Sequence, residues 1–137
     1  MRPDARDAMN IDSSILDELS ARAKASPRLR MNFDLRTTPA DGSQRMLNAL
    51  EPGTRVPVHR HRTTSEVVVI LRGRAVQYFY DDDGRETEAV LLEADGPLRI
   101  MSVEAGRWHR IDPLESGTVI FECKDGAFAP LAEEDVI

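Results

Sequence analysis

Cysteine, histidine and long apolar runs are what this 137-residue sequence has least of. The single cysteine, Cys123, can form no internal disulfide, so the expected compartment is a reducing cytoplasm. No run approaches the ~20 apolar residues needed to cross a bilayer. The opening Met-Arg-Pro-Asp-Ala-Arg-Asp is followed by no apolar stretch of a signal peptide. Basic charge is also in deficit, with a formal net charge of −6. That argues against a nucleic-acid partner, whose affinity comes mainly from basic side chains meeting phosphates. The rest, at 41% hydrophobic and 31% charged residues, is the composition of an ordinary globular chain long enough for one core.

The three histidines are His59, His61 and His109. On an extended chain, side chains at i and i+2 share a face. His59 and His61 are then neighbours about 7 Å apart at the backbone, close enough to lean onto one ion at about 2.1 Å each. Glu66 opens the apolar run Val67 to Leu71. If Glu66 points inward, so do Val68 and Ile70, which then form an apolar wall. A carboxylate beside such a wall is costly to bury without a partner, and a divalent cation is a natural one. His109 follows the Gly106 turn and can approach from across the sheet. Taken alone, His-x-His is more often two solvated histidines, and a buried glutamate more often meets an arginine. The case for a metal rests on the full set of His59, His61, Glu66 and His109.

The chain reads in order as follows. Residues 1–10 are expected to form a flexible N-terminus, 11–43 a helix and arm, and 44–137 a β-barrel domain. An amphipathic helix runs from Asp12 or Ser13 to about Ala25, with Ile15, Leu16 and Leu19 as its apolar stripe and Pro27 ending it. Its mixed-charge polar face argues against a membrane surface. Arg28, Arg30 and Asn32 alternate and share one face when extended; they fit either an anion contact or structural ion pairs. Eight short strands follow: Gln44–Leu50, Val56–His61, Ser65–Leu71, Arg74–Tyr80, Glu86–Leu92, Leu98–Val103, Arg107–Asp112 and Thr118–Lys124. Ser65–Leu71 and Arg74–Tyr80 are expected to form a hairpin, and Asp81 to Gly84 a tight turn rather than a calcium loop. This is the pattern of an all-β barrel or jelly roll with an N-terminal α-helix. In Gln44–Leu50, Arg45 shares a face with Leu47 and Ala49, and Asn48 with Met46 and Leu50. Arg45 and Asn48 are therefore alternative pocket residues, beside Val68 and Ile70. Trp108 faces opposite to His109 and is expected outside the barrel. Cys123 shares parity with Val119 and Phe121 and reads as a buried, inert thiol.

The spacing Gly53, five residues, His59, one residue, His61, four residues, Glu66, six residues, Gly73 resembles the first motif of the cupin superfamily at every fixed position. The second motif is kept at Gly106-Arg-Trp-His109, with Glu104 at its proline position and Pro113 where an asparagine is usual. A narrower set looks like the WbuC-type cupin-fold metalloproteins: Ser26 to Asn32, Gln44 to Gly53, Phe79 to Gly84, Gly106 to His109 and Gly117 to Glu122. Near the C-terminus, where those proteins tend to carry Gly-Pro-Tyr-x-Pro, this chain has Gly126-Ala-Phe-x-Pro130.

The resemblance implies a single cupin jelly roll. The ligand set itself suits one divalent transition metal, Fe, Mn, Zn, Ni or Co, with coordination positions left open. Two functions follow. One is a metal-dependent enzyme acting on a small molecule, a carbohydrate derivative being one candidate, with no separate acid or base identifiable from sequence. The other is a non-catalytic metal or small-ligand module, an accessory to polysaccharide biosynthesis. A homodimer paired through an edge strand is expected.

Overall fold

The computed structural model describes residues 9–137. The expectation for residues 1–8 lies outside them. The elements are α1 (Ser13–Ala25), β1 (Arg30–Asp34), β2 (Ser43–Leu50), β3 (Glu66–Arg72), β4 (Arg74–Tyr80), β5 (Glu86–Glu93), β6 (Ile100–Val103), β7 (Trp108–Pro113) and β8 (Thr118–Asp125), with a short 3-10 turn at Glu133–Asp135.

The strands form two sheets, β1-β2-β8-β3-β6 and β5-β4-β7. An all-β jelly roll with one N-terminal helix is what the sequence implied. Its interior is a cluster of Leu50, Val68, Ile70, Ala75, Leu92, Ile111 and Ile120. A second cluster lies under α1, where Leu19 and Ala23 pack with Phe33, Leu47, Ala49 and Val119. Asp12 caps α1 by accepting from the amide of Ile15 at 3.1 Å. The five-stranded sheet is therefore covered on both faces at β1, β2 and part of β8, while its outer face at β3 and β6 stays exposed.

Three sequence expectations change. Val56–His61 is not a strand: in it only His59 bridges, to His109 and to Val136. Pro57 has no amide hydrogen to give a ladder. The eighth strand is instead β1, which pairs antiparallel with β2 from Arg30↔Leu50 to Asp34↔Met46. Finally, β3 and β4 do not form a hairpin. β3 pairs with β6 and β8, β4 with β5 and β7. The chain turns a corner between the sheets at Gly73, whose φ is +78° and where a Cβ would stand 2.9 Å from the Thr118 Cα. The Asp81 turn links β4 to β5 as expected. The Asp81 carboxylate accepts from the amides of Asp83 and Arg85, both at 2.9 Å, so it serves the turn.

Candidate metal centre

His59 and His61 ride on irregular chain held from outside. The amide of His59 donates to the His109 carbonyl at 3.0 Å, and that of His109 donates back at 2.9 Å. Arg60 donates its amide to the Asp135 carbonyl at 3.0 Å, and its side chain reaches the Asp135 carboxylate at 2.9 Å, where Arg62 joins it at 2.6 Å. These tethers bring the three rings together. Their centroids lie 5.1 Å (His59–His61), 4.5 Å (His59–His109) and 5.8 Å (His61–His109) apart. One ring nitrogen from each falls within 4.8 Å of the others.

Two tautomers are fixed by backbone. The Nδ1 of His59 sits 2.8 Å from the Pro57 carbonyl, and the Nδ1 of His109 sits 2.7 Å from the Arg107 carbonyl. A carbonyl only accepts, so each Nδ1 carries the hydrogen and each Nε2 keeps its lone pair. The Nε2 of His109 is buried, and no group is aligned to hydrogen-bond it, although Oε1 of Glu66 stands only 2.9 Å away. An orphaned buried nitrogen beside a carboxylate oxygen, with two more imidazoles converging, fits a divalent cation. Glu66 at 6% exposure and His109 at 3% have little access to water that could take the ion's place.

The charges are arranged accordingly. Burial holds His59 below its usual pKa, with the neighbouring His109 acting in the same sense. Burial and the Lys124 ammonium bring His61 down to about 4. Burial alone would raise Glu66, but His109, Lys124 and His61 outweigh it and lower the carboxylate to about 2. For His109, burial disfavours the charged ring and Glu66 favours it; the carboxylate prevails and its pKa rises.

A cavity of about 330 Å³ adjoins this centre, lined on the histidine side by His59, Glu66 and His109 and floored by Leu50, Ile111 and Ile120. Asn48 lines it and Arg45 does not. Arg45 lies on the opposite face of β2, paired with Asp41 at 2.6 Å. The inner face of β2 is the one that carries Met46, Asn48 and Leu50. Val68 and Ile70 also move: they are packed in the interior cluster, at 1% and 3% exposure, and do not line the cavity. His61 faces a second cavity of about 540 Å³, shared with Lys124 and the 126–132 segment.

Two cavity-side groups are absent from the sequence reading. Glu122 accepts from the Asn48 amide at 2.9 Å, and burial together with Glu66 raises its pKa to about 7. Lys124 places its Nζ 3.2 Å from the Nε2 of His61 and 3.9 Å from Oε2 of Glu66. Parity would have found both. Ile120, Glu122 and Lys124 share one face of β8, and the polar pair follows the apolar run Val119 to Phe121. The reading followed Val119, Phe121 and Cys123 instead, a face that α1 covers in part. Cys123 itself is half-buried, and burial raises its thiol pKa. Trp108 lies opposite His109, as parity implied; it is buried, donates to Asp82 at 3.1 Å and carries the Arg60 guanidinium 4.5 Å above its ring.

The barrel has a cupin fold. The capsular polysaccharide assembling protein CapF from Staphylococcus aureus is similar to it at 22% identity and a TM-score of 0.64, over 95% of this chain and 33% of that one. Oxalate decarboxylase from Bacillus subtilis is similar at 20% identity and a TM-score of 0.56, over 79% of this chain and 27% of that one. The chain thus spans a third or less of the length of these proteins, and at such identities the likeness defines the fold alone. The family model described as a domain of unknown function (DUF6016) matches residues 11–92, and the chain belongs to that family. No curated protein matches it.

Proposed function

We propose that this chain is a metal-binding cupin acting on a small molecule, with His59, His61, Glu66 and His109 holding one divalent transition ion. The observation that carries the reading is the convergence of three imidazoles, two with Nδ1 tied to a carbonyl, on a buried carboxylate. Three nitrogens and one oxygen suit Fe, Mn, Zn, Ni or Co. Such an ion, when bound, supplies Lewis-acid or oxygen chemistry.

The chain's own residues have separate parts in this reading. The Glu122 carboxyl, with a pKa near 7, can hold or release a proton at the cavity wall, and the Asn48 amide orients it. Leu50, Ile111 and Ile120 keep the floor dry. Lys124 neutralises Glu66 when no ion does so. The likeness in fold to CapF, and the WbuC-type segments, support a substrate from surface-polysaccharide metabolism. The same ligand set would serve a second reading, an accessory module that binds the ion or a small ligand without turnover.

Elemental analysis of protein purified without a nickel column, beside the variant His59→Ala/His61→Ala, tests the metal. About one equivalent of a single transition metal in the wild type, absent from the variant, is expected. No metal in the wild type, even after reconstitution, overturns the reading.

A further inference from the structure

Most arginines of the described chain have a carboxylate partner, as Arg36 has Asp34 and Arg72 has Asp17. Among the described residues, Arg28, Arg30, Arg55, Arg85 and Arg99 have none, and the first three lie together. The three line one recess with Pro27 and Gly53, and Arg28 and Arg30 also line the cavity beside the histidines. An acidic protein has thus left three neighbouring guanidinium groups without a carboxylate, two of them on the wall of the cavity beside its candidate site.

The backbone is built to keep them there. Leu29, between Arg28 and Arg30, has a φ of +56°, the left-handed region that costs a branched side chain on the order of 1 kcal/mol or more. The strain is held by partners on both sides. The Leu29 amide donates to Ser26 at 3.0 Å, its carbonyl accepts from Glu51 at 2.9 Å, and the Arg28 carbonyl accepts from the Thr54 hydroxyl at 2.8 Å. Gly53 leaves room for this: a Cβ there would stand 3.0 Å from the Leu29 side chain. The Glu51 turn is anchored in its buried carboxylate, which accepts from the Ser116 hydroxyl at 2.6 Å and the Gly117 amide at 2.7 Å. Over-determined strain of this kind points to a function for what it positions. Arg30 donates to the Arg55 carbonyl at 3.3 Å, which brings the two chain segments together without neutralising either charge. Burial, with the charge of Arg28, lowers the pKa of Arg30, so a counter-anion is the missing element of the cluster.

We propose that Arg28, Arg30 and Arg55 form an oxyanion seat, and that the ligand is a small molecule bearing a phosphate or carboxylate at the end remote from the histidines. A guanidinium fork binds either group through paired hydrogen bonds. The cavity of about 330 Å³ restricts the remainder to a compact body. Asn32 lies along the same wall, one strand position beyond Arg30 on its face. The direction of the ligand rests on the metal-centre reading; the seat itself does not.

The test is calorimetric titration of inorganic phosphate, and separately of succinate, into the protein as purified, into Arg28→Gln/Arg30→Gln, and into Arg85→Gln. Arg85 is another arginine without an ion pair, on the far Asp81 turn, and serves as control. Saturable binding of at least one anion is expected, weakened about tenfold or more in the double variant and unchanged in R85Q. Whichever anion binds tighter assigns the group. Arg28→Lys/Arg30→Lys, which keeps charge but loses the fork, should bind with intermediate affinity. Movement of the arginine Nε–H resonances in the wild type on adding phosphate gives a readout that needs no variant. No saturable binding, or binding equal in wild type and the Gln variant, overturns the seat. Phosphate binding retained in His59→Ala/His61→Ala separates it from the metal centre: the seat then stands whether or not the ion does.

Discussion

The Nε2 of His109 and the Oε1 of Glu66 stand 2.9 Å apart inside the barrel, close as a hydrogen bond yet not aligned as one. Two donors at right angles around one ion, each at about 2.1 Å, are separated by about 3 Å. The pair already has the spacing of adjacent ligands. It costs the metal-free protein a buried carboxylate that Lys124 and the surrounding imidazoles offset.

Lys124 therefore competes with the ion. Its ammonium lies 3.2 Å from the Nε2 of His61, the face on which that ring would coordinate. Replacing it, as Lys124→Met, should tighten metal binding by about tenfold, the value of one charged hydrogen bond relieved. Competition against a fluorescent chelator measures this. Weaker binding in the variant would instead make Lys124 a support of the loaded site.

Glu122 gives a pH signature in the metal-free protein. Its folded pKa, about 7, lies above its ordinary 4.5. An acid raised on folding stabilises nothing at high pH: its full contribution exists below about 4.5, declines through the window to about 7, and is lost above it. Glu122→Gln keeps an acceptor for Asn48 and has no charge to bury. Its stability relative to wild type should grow between pH 4.5 and 7 and then level off, by at most about 3 kcal/mol. Urea unfolding at pH 5 and pH 8 reads the difference; an equal gap at both would remove Glu122 as a cavity-side titrating group.

Asp135 has the opposite sign. Arg60 and Arg62 hold its pKa below the usual carboxylate range, so its contribution is complete above about 3.8 and disappears as pH falls through the lower, folded value. Asp135 is buried, but Arg62 is half exposed, so solvent screens that side of the pair. Asp135→Asn should be less stable than wild type at pH 7, and the difference should close on acidification. A gap that widens towards pH 3 would contradict the assignment.

β1 and β6 are the edges of the larger sheet, and at β6 Ile100 is 59% exposed, beside the exposed Leu98 and Val67. Pairing with a second copy would cover these groups and the unpaired edge. Light scattering at micromolar concentration should report a dimer. Ile100→Lys should shift it to monomer, and a monomeric wild type would refute the pairing.

Periodicity and turn residues carried much of this fold. The helix is legible in its Asp12 cap and its apolar stripe, and the order of most strands in alternation and in Gly and Pro punctuation. The histidine set is legible because ligand spacing depends on local geometry alone. What escaped was non-local. Strand parity says that Arg45 and Asn48 face opposite ways, but which way is inward depends on α1 covering the Leu47 face. Val68 and Ile70 do point inward, yet depth along the barrel, not parity, decides whether a side chain meets the cavity. Glu122 and Lys124 were legible by parity with Ile120, but only the fold shows that their face of β8, and not that of Val119, Phe121 and Cys123, looks onto the cavities. The corner at Gly73 reads locally as a hairpin turn, since only the pairing partners distinguish the two.

His59 bridges both His109 and Val136, and the Ile137 amide donates to the Val58 carbonyl at 2.8 Å. The loop bearing His59 and His61 has no ladder of its own and waits for chain emerging some seventy-five residues later, the separation of Arg60 from Asp135. Loop closure over such a distance comes late in folding. During synthesis, then, β1 to β5 can begin to pair while the imidazoles are still scattered, and the nascent chain offers a passing cation only separate, weak ligands. The centre becomes competent only when the last turn has closed.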